Sequence, residues 1–179
     1  QRLGLVPCAL HVRETADRLL EAVQWLGARA LLVDHERNEL ARSLAEASET
    51  KLVLVSLDPL SELVLSSEGL ACAVDTCPSS EQTGEALAYV VLSSGTTGSP
   101  KGAIHLQRTA CASAAAGPSV YGDIGADDRV LVPMEPSFAA WVNVVLPFVG
   151  AGAAVVFRRR FDPATFLLDL SADEDAGIL

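Results

Sequence analysis

The chain has 179 residues, half of them apolar and a fifth charged, and its formal net charge at pH 7 is -10. This composition is typical of a globular domain with a sizeable core and excludes an intrinsically disordered chain. The acidic balance also excludes the broad basic surface with which proteins bind nucleic acid, and the short basic cluster at residues 158–160 is interpreted as a solvated strand end.

The first third of the chain alternates predicted strands and helices. The predicted elements are strands at 5–10, 30–33 and 52–57, a helix from Ala16 that Gly27 ends, and a second helix over 36–48. The helices are assigned from apolar residues at helical spacing, and the strands from continuous aliphatic runs. Such buried strands joined by helices predict an α/β fold with layered parallel or mixed sheets and helices on both faces. Residues 1–60 are therefore predicted to form a βαβαβ portion.

The same reasoning divides the rest of the chain into three parts. The parts are an irregular connection over 61–87, a strand–loop–strand unit over 88–106 with strands at 88–92 and 103–106, and a helix and strand portion over 107–179. The portion 107–179 is predicted to contain a helix at 109–116, a strand at 129–132, a buried helix that ends at about 148 and a strand at 153–157. A last helix follows, capped by Asp162 and with Pro163 in its first turn. The apolar run 138–157 has the length of a membrane span, but Pro147 and the glycines that follow favour a helix, a turn and a strand.

Four cysteines are present at positions 8, 72, 77 and 111. No histidine lies near enough to Cys72 and Cys77 to suggest a zinc site, and the spacings match no secreted disulfide framework. Reduced and mostly buried thiols in a cytoplasmic protein are expected. The chain also begins and ends inside apparent elements, which suggests a fragment of a longer protein.

A polar loop follows the predicted strand 88–92 and reads Ser-Ser-Gly-Thr-Thr-Gly-Ser-Pro-Lys-Gly over residues 93–102. Glycines let backbone N–H groups close around phosphate oxygens, hydroxyls add donors, and Lys101 adds a positive charge after the stiffening Pro100. This composition is also typical of a linker, but the lysine and proline between two apolar strands favour phosphate binding. The Walker A pattern is excluded because Gly102 follows the lysine, and no Gly-x-Gly-x-x-Gly is present.

Residues 93–102 resemble the phosphate-loop signature of the adenylate-forming superfamily, which includes acyl- and aryl-CoA synthetases, luciferases and the adenylation domains of peptide synthetases. The match has no gap, and weaker similarity covers residues 4–34 and 147–157. The resemblance implies that the chain is a middle portion of the family's large domain, without the C-terminal lid domain. The family's adenine, ribose and magnesium residues and its C-terminal lysine would lie beyond Leu179, so the chain alone is expected to be inactive.

The resemblance implies an ATP-dependent ligase. A carboxylic acid would attack the α-phosphate of ATP, giving an acyl-adenylate and pyrophosphate, and CoA or a carrier-protein thiol would then take the acyl group. Residues 94–98 would wrap the β- and γ-phosphates, and Lys101 would be catalytic because it neutralises their charge. Mg²⁺ would arrive with ATP, so no protein metal site is expected. The nucleotide-binding residues implied are Ser93, Ser94, Gly95, Thr96, Thr97, Gly98, Ser99, Lys101 and Gly102.

The acid substrate has three candidate contacts after the loop. The family often places a histidine or aromatic residue near its acyl pocket, and the matching stretch 133–138 puts Ser137 or Phe138 there. Trp141 is the third candidate, although a tryptophan in an apolar helix is more often part of the core. Glu135 is interpreted as a solvated loop carboxylate rather than a charge inside the pocket.

The chain departs from the family at two positions beside the loop. Leu92 stands where an aromatic residue is common, and Gln107 stands where many members have a histidine, whereas His105 lies two residues earlier. An alternative function is a truncated, non-catalytic nucleotide-binding module of the same fold. A kinase-like enzyme is disfavoured because no His, Asp or Asn constellation for phosphoryl transfer accompanies the loop.

Overall fold

The computed structural model describes residues 4–56, 83–93, 101–157 and 161–172. The chain divides into two compact units, one of residues 12–80 and the other of residues 3–11 and 81–179. Much of the predicted irregular connection, with Cys72 and Cys77, and the three arginines at 158–160 lie outside the described residues.

Among its described residues, 12–56, the first unit contains two helices and two strands. Its elements are α1 (Ala16–Trp25), β1 (Ala30–Val33), a single 3-10 turn (His35–Arg37), α2 (Asn38–Ala47) and β2 (Val53–Ser56). Helix α1 begins where the Thr15 hydroxyl accepts a hydrogen bond from the Arg18 amide at 3.4 Å. It ends before Gly27, which has φ +59°, so the prediction that this glycine ends the helix is confirmed.

The strands of the first unit are parallel, as the helical crossover between them requires. Ala30 pairs with Val53 and Val33 pairs with Ser56. Leu31 and Val55 are buried, whereas Leu32 is 63% exposed. Val23 of α1 is also buried. Leu31 pairs with Leu54 and Val55 pairs with Leu32, so the two buried strand residues lie on opposite faces of the sheet.

The predicted first strand at 5–10 is absent as a regular strand. Residues 4–11 belong to the second unit, where Cys8 forms one isolated parallel bridge with Val90 and the Pro7 carbonyl accepts a hydrogen bond from the Val90 amide at 3.0 Å. Among the described residues of the first unit the order is therefore αβαβ, without the strand that the predicted βαβαβ portion placed first. An apolar run carries no information about its partner strand, and Pro7 cannot donate to a ladder.

The second unit contains four strands and four helices among its described residues. Its elements are β3 (Leu87–Ser93), β4 (Lys101–Leu106), α3 (Gln107–Ala115), α4 (Gly117–Tyr121), β5 (Arg129–Val132), α5 (Ala139–Ala151), β6 (Ala154–Phe157) and α6 (Pro163–Ala172). Strands β3 and β4 form an antiparallel hairpin, whereas β5 and β6 are parallel. With β1 and β2, the described residues thus form three two-stranded sheets, which together with the helices give the expected mixed α/β architecture.

Helix α5 packs on β5 and β6 and supplies much of the core of this unit. Val145 and Phe148 of the helix are buried against Val130 and Val132 of β5. Pro147 lies inside the helix, which continues to Ala151 and ends at Gly152 with φ +84°. The helix is thus longer than the predicted end near 148, because the left-handed glycine, not the proline, ends it. In the described part of the chain, no helix is long and apolar enough to cross a membrane.

Two local predictions have different outcomes. The Asp162 carboxylate accepts a hydrogen bond from the Thr165 amide at 2.7 Å, which confirms the predicted cap of α6. The expectation of mostly buried thiols is wrong for Cys111, which is exposed, whereas Cys8 is half-buried; both are free. Burial raises the pKa of the Cys8 thiol.

Candidate functional site

The hairpin of β3 and β4 carries the predicted phosphate loop. Ser93 ends β3 and Lys101 begins β4, so Ser93, Lys101 and Gly102 are strand residues rather than loop residues. Ser93 faces Lys101 across the hairpin, and its hydroxyl donates to the Lys101 carbonyl at 3.5 Å. The remaining predicted loop residues, Ser94, Gly95, Thr96, Thr97, Gly98 and Ser99, lie outside the described part of the chain. The structure therefore brings together the two ends of the loop.

The base of this hairpin is held by hydrogen bonds to the start of α3. The Gln107 amide donates to the Ala86 carbonyl at 2.8 Å, and the Gln107 side-chain amide donates to the Leu87 carbonyl at 3.2 Å. Arg108 forms an ion pair with Glu85, with 2.8 Å between Nε and Oε1. Gln107, the residue at the position where the sequence resemblance implies a histidine, therefore links the start of α3 to the residues at the start of β3.

His105, the histidine of strand β4, contacts an aromatic ring of strand β3. His105 and Tyr89 face each other, with ring centroids 4.4 Å apart and ring planes inclined by 15°. Both side chains are half-buried, and burial raises the pKa of the Tyr89 hydroxyl. Because side chains alternate along a strand, this stacked pair lies on the same face of the hairpin as Ser93 and Lys101.

The candidate substrate residues lie where β5 is followed by α5. Phe138 immediately precedes α5 and is 49% exposed, and Ser137 is half-buried. Trp141 lies in the first turn of α5, packs against the core of this unit and stacks on Phe157 with 5.7 Å between ring centroids. The Ser137 hydroxyl and the Trp141 indole nitrogen are shielded from solvent and have no hydrogen-bond partner among the described residues. These two polar atoms can therefore hydrogen-bond to an incoming polar group.

Glu135 is not the solvated loop carboxylate that the sequence suggested. Its side chain is 31% exposed, its Oε2 atom is shielded from solvent, and His11 Nδ1 lies 3.7 Å from that oxygen. The His11 ring also packs edge-on against Phe138, with centroids 5.3 Å apart. The sequence carried no signal for this cluster, because His11 lies far from the turn in the chain and no pattern links the two segments.

Helices α3 and α5 connect the two candidate regions. Helix α3 starts directly after β4 and packs on α5 so closely that a Cβ on Gly150 would lie 3.2 Å from the Ala114 Cβ. Among the residues that the structure describes, no group of three or more His, Cys, Asp and Glu side chains could hold a metal ion.

The sequence is similar to a known enzyme family and to a large synthetase. The sequence pattern of the AMP-binding enzymes matches residues 1–178. The FR901469 synthetase of Dothideomycetidae sp. is 32% identical over 154 residues, which are 86% of this chain and 1% of that protein.

Solved structures of larger proteins share the fold. The anthranilate CoA ligase AuaEII, solved in complex with anthranoyl-AMP, matches 93% of this chain with a TM-score of 0.78 and 22% identity. ATP-bound MatB from Rhodopseudomonas palustris matches 96% with a TM-score of 0.76 and 20% identity. The expected α/β fold is thereby confirmed, and this chain spans 33% of each of these two chains.

Proposed function

Because the chain belongs to the family of AMP-binding enzymes, we propose that it is part of an ATP-dependent ligase that activates a carboxylic acid as an acyl-adenylate. The observation that carries the proposal is the pairing of Ser93 with Lys101, which joins the two ends of the segment Ser-Ser-Gly-Thr-Thr-Gly-Ser-Pro-Lys-Gly. A strand on each side holds the ends of the loop, which suits close contact between its backbone N–H groups and phosphate oxygens.

Lys101 supplies the positive charge at this site. Its side chain is exposed at the first position of β4, and Gly102 leaves the adjacent backbone without a side chain. These two residues fit a polyphosphate, because a mobile ammonium group can approach the terminal phosphates and stabilise the charge that develops on the leaving pyrophosphate. Residues 94–98 would bind the β- and γ-phosphates with N–H and hydroxyl donors. Mg²⁺, brought by ATP, would neutralise part of the phosphate charge.

Ser137, Phe138 and Trp141 would contact the acid. The half-exposed Phe138 ring offers an apolar surface, and the unpartnered Ser137 hydroxyl and Trp141 indole nitrogen offer polar contacts. The anthranilate CoA ligase of similar fold supports CoA as acceptor of the acyl group, and a carrier-protein thiol is the second candidate. We place the parent protein in the cytoplasm, which agrees with the free thiols of Cys8 and Cys111.

The domain organisation is part of the proposal. Residues 1–179 would be a portion of one AMP-binding domain, and a lid domain elsewhere in the parent protein would complete the catalytic site. We therefore expect the isolated chain to catalyse no adenylation. If the full-length protein binds ATP but activates no acid, the non-catalytic module is the correct function.

The experiment is ATP–pyrophosphate exchange by the full-length protein with a panel of aryl and fatty acids. Lys101→Ala should lower the exchange rate by about 100- to 1000-fold, the usual cost of removing one group that stabilises transition-state charge. Lys51→Ala is the matched control, because Lys51 is the only other lysine of the chain, is exposed and lies in the first unit. An unchanged exchange rate in Lys101→Ala would contradict the role assigned to Lys101. A separate assay, which compares CoA with a phosphopantetheinyl carrier protein as acceptor of the acyl group, identifies the thiol.

A further inference from the structure

The hairpin that carries Lys101 changes its pairing register at Ala88. Leu87 faces Leu106, but Tyr89 faces His105, so Ala88 is an extra residue on β3. Its side chain is fully buried. Such a β-bulge shifts every later pair of the ladder by one residue. Beyond the bulge the pairing is regular up to its last pair, Ser93 and Lys101.

Without the bulge, the end of the hairpin would be different. If the Leu87 and Leu106 pairing continued regularly, Ile104 would face Tyr89, and Lys101 would face Leu92 instead of Ser93. Because side chains alternate between the two faces, Lys101 would then lie on the face opposite to Ser93. The register thus decides on which face of the hairpin the lysine is presented.

Contacts at the base of the hairpin do not distinguish these two registers. The hydrogen bonds from Gln107 reach Ala86 and Leu87, which precede the bulge and are paired in the same way in both cases. Beyond the bulge, three of the cross-strand pairs contain a residue that is small or exposed. One contains Gly102, another contains the exposed Ala103, and a third contains Ile104, which is 64% exposed.

The stacked rings form the first pair after the bulge. Tyr89 and His105 have centroids 4.4 Å apart and nearly parallel ring planes, and both are half-buried. In the bulge-free register His105 would face Ala88 and the stack would be lost. Cross-strand aromatic pairs stabilise the register in which they meet.

We infer that Tyr89 and His105 are positioning residues, which select the bulged register and so hold Lys101 opposite Ser93. The consequence for ATP rests on the proposed function, whereas the selection of the register does not.

Disulfide trapping in the full-length protein tests the register directly. Val91→Cys with Ala103→Cys places two thiols opposite each other in the observed register, whereas Val91→Cys with Gly102→Cys does so only in the bulge-free one. Peptide mapping by mass spectrometry after mild oxidation identifies the disulfide formed. We expect the first pair to cross-link when the stack is intact, and the second pair to cross-link only when Tyr89→Ala and His105→Ala are also present.

Two further variants separate stacking from general destabilisation. Tyr89→Phe with His105→Phe keeps two facing rings and should keep the 91–103 cross-link. Ile104→Ala changes the other face of the hairpin and should also leave the cross-link unchanged. If the two alanine substitutions at 89 and 105 leave the cross-linking pattern unchanged, the inference is wrong.

A kinetic readout follows from the position of Lys101. The two alanine substitutions should raise the KM for ATP by about three- to tenfold, the range of a lost aromatic pair, and the phenylalanine pair should restore it. A merely structural role would lower the yield of active enzyme without changing this KM. If the register shifts while Lys101→Ala leaves exchange unchanged, the proposed function fails and the selection of the register stands.

Discussion

The contact between α4 and α5 makes Gly117 a position where one added methyl group should have a large effect. A Cβ on Gly117 would lie 2.7 Å from the Pro147 Cβ and 3.3 Å from the Ile124 Cδ1 atom. The end of the Ile124 side chain can turn aside. Pro147, however, is buried inside α5, and its ring is attached to the helix backbone, so relief of the clash requires a shift of the helix itself.

The magnitude follows from two opposing terms. Overpacking a buried contact costs about 1–3 kcal/mol, whereas replacing glycine by alanine in a helix stabilises by about 0.5–1 kcal/mol. Gly117 does not have a positive φ, so an alanine at this position causes no backbone strain. We therefore expect Gly117→Ala to destabilise the second unit by about 1 kcal/mol, the difference between the middles of the two ranges, and by at most about 2.5 kcal/mol. Trp141, which we propose contacts the acid, lies at the start of α5, so the shift should also weaken use of that acid.

The assay is hydrogen exchange of α5 peptides in the full-length protein, with exchange rates converted to free energies of opening. Gly125→Ala is the matched control in the same unit, since its Cβ would lie 3.9 Å from the nearest atom, an ordinary contact with Asp128. We expect its effect to remain within about 0.5 kcal/mol. Unchanged or stronger protection of α5 in Gly117→Ala would refute the reasoning.

Two further substitutions test the core and the last helix. Phe148→Ala removes a side chain that is 4% exposed and should destabilise the second unit by about 3–5 kcal/mol, whereas Val149→Ala, at a 56% exposed neighbour, should change little in the same exchange assay. Asp162→Ala removes the cap of α6 and should speed exchange of the Thr165 amide. Hydrogen bonds from Thr165 lower the pKa of the Asp162 carboxyl from its ordinary value of 3.8. The ionised carboxylate therefore stabilises the folded protein above pH 3.8, and this stabilisation is lost as the pH falls through the lowered pKa of the folded state. Equal Thr165 exchange in both proteins near neutral pH would contradict this assignment.

The sequence could predict the arrangement around the candidate nucleotide site, because its residues are contiguous, whereas their contacts with the nucleotide stay a prediction. The order of glycine, hydroxyl, proline and lysine residues between two apolar runs predicted a strand, a phosphate loop and a second strand, and the structure shows that the two strands pair as an antiparallel hairpin. The bounds of the loop were predicted less well, since Lys101 and Gly102 belong to β4. Glycine has a low strand propensity, so the sequence placed Gly102 in the loop, whereas in the structure it pairs with Leu92 across the hairpin.

The sequence by itself determined most of the described helices and strands and their approximate ends, because local spacing, caps and left-handed glycines act within a few residues. The exceptions are the predicted strand at 5–10, which is absent, and the short helix α4, which was not predicted. Only the tertiary structure decided which segments meet. It paired residue 8 with β3 instead of the first unit, placed His11 beside Glu135, and inserted the bulge at Ala88 that turns Lys101 toward Ser93. These contacts join residues far apart in the chain, and their free energy depends on burial and facing side chains that no local pattern records.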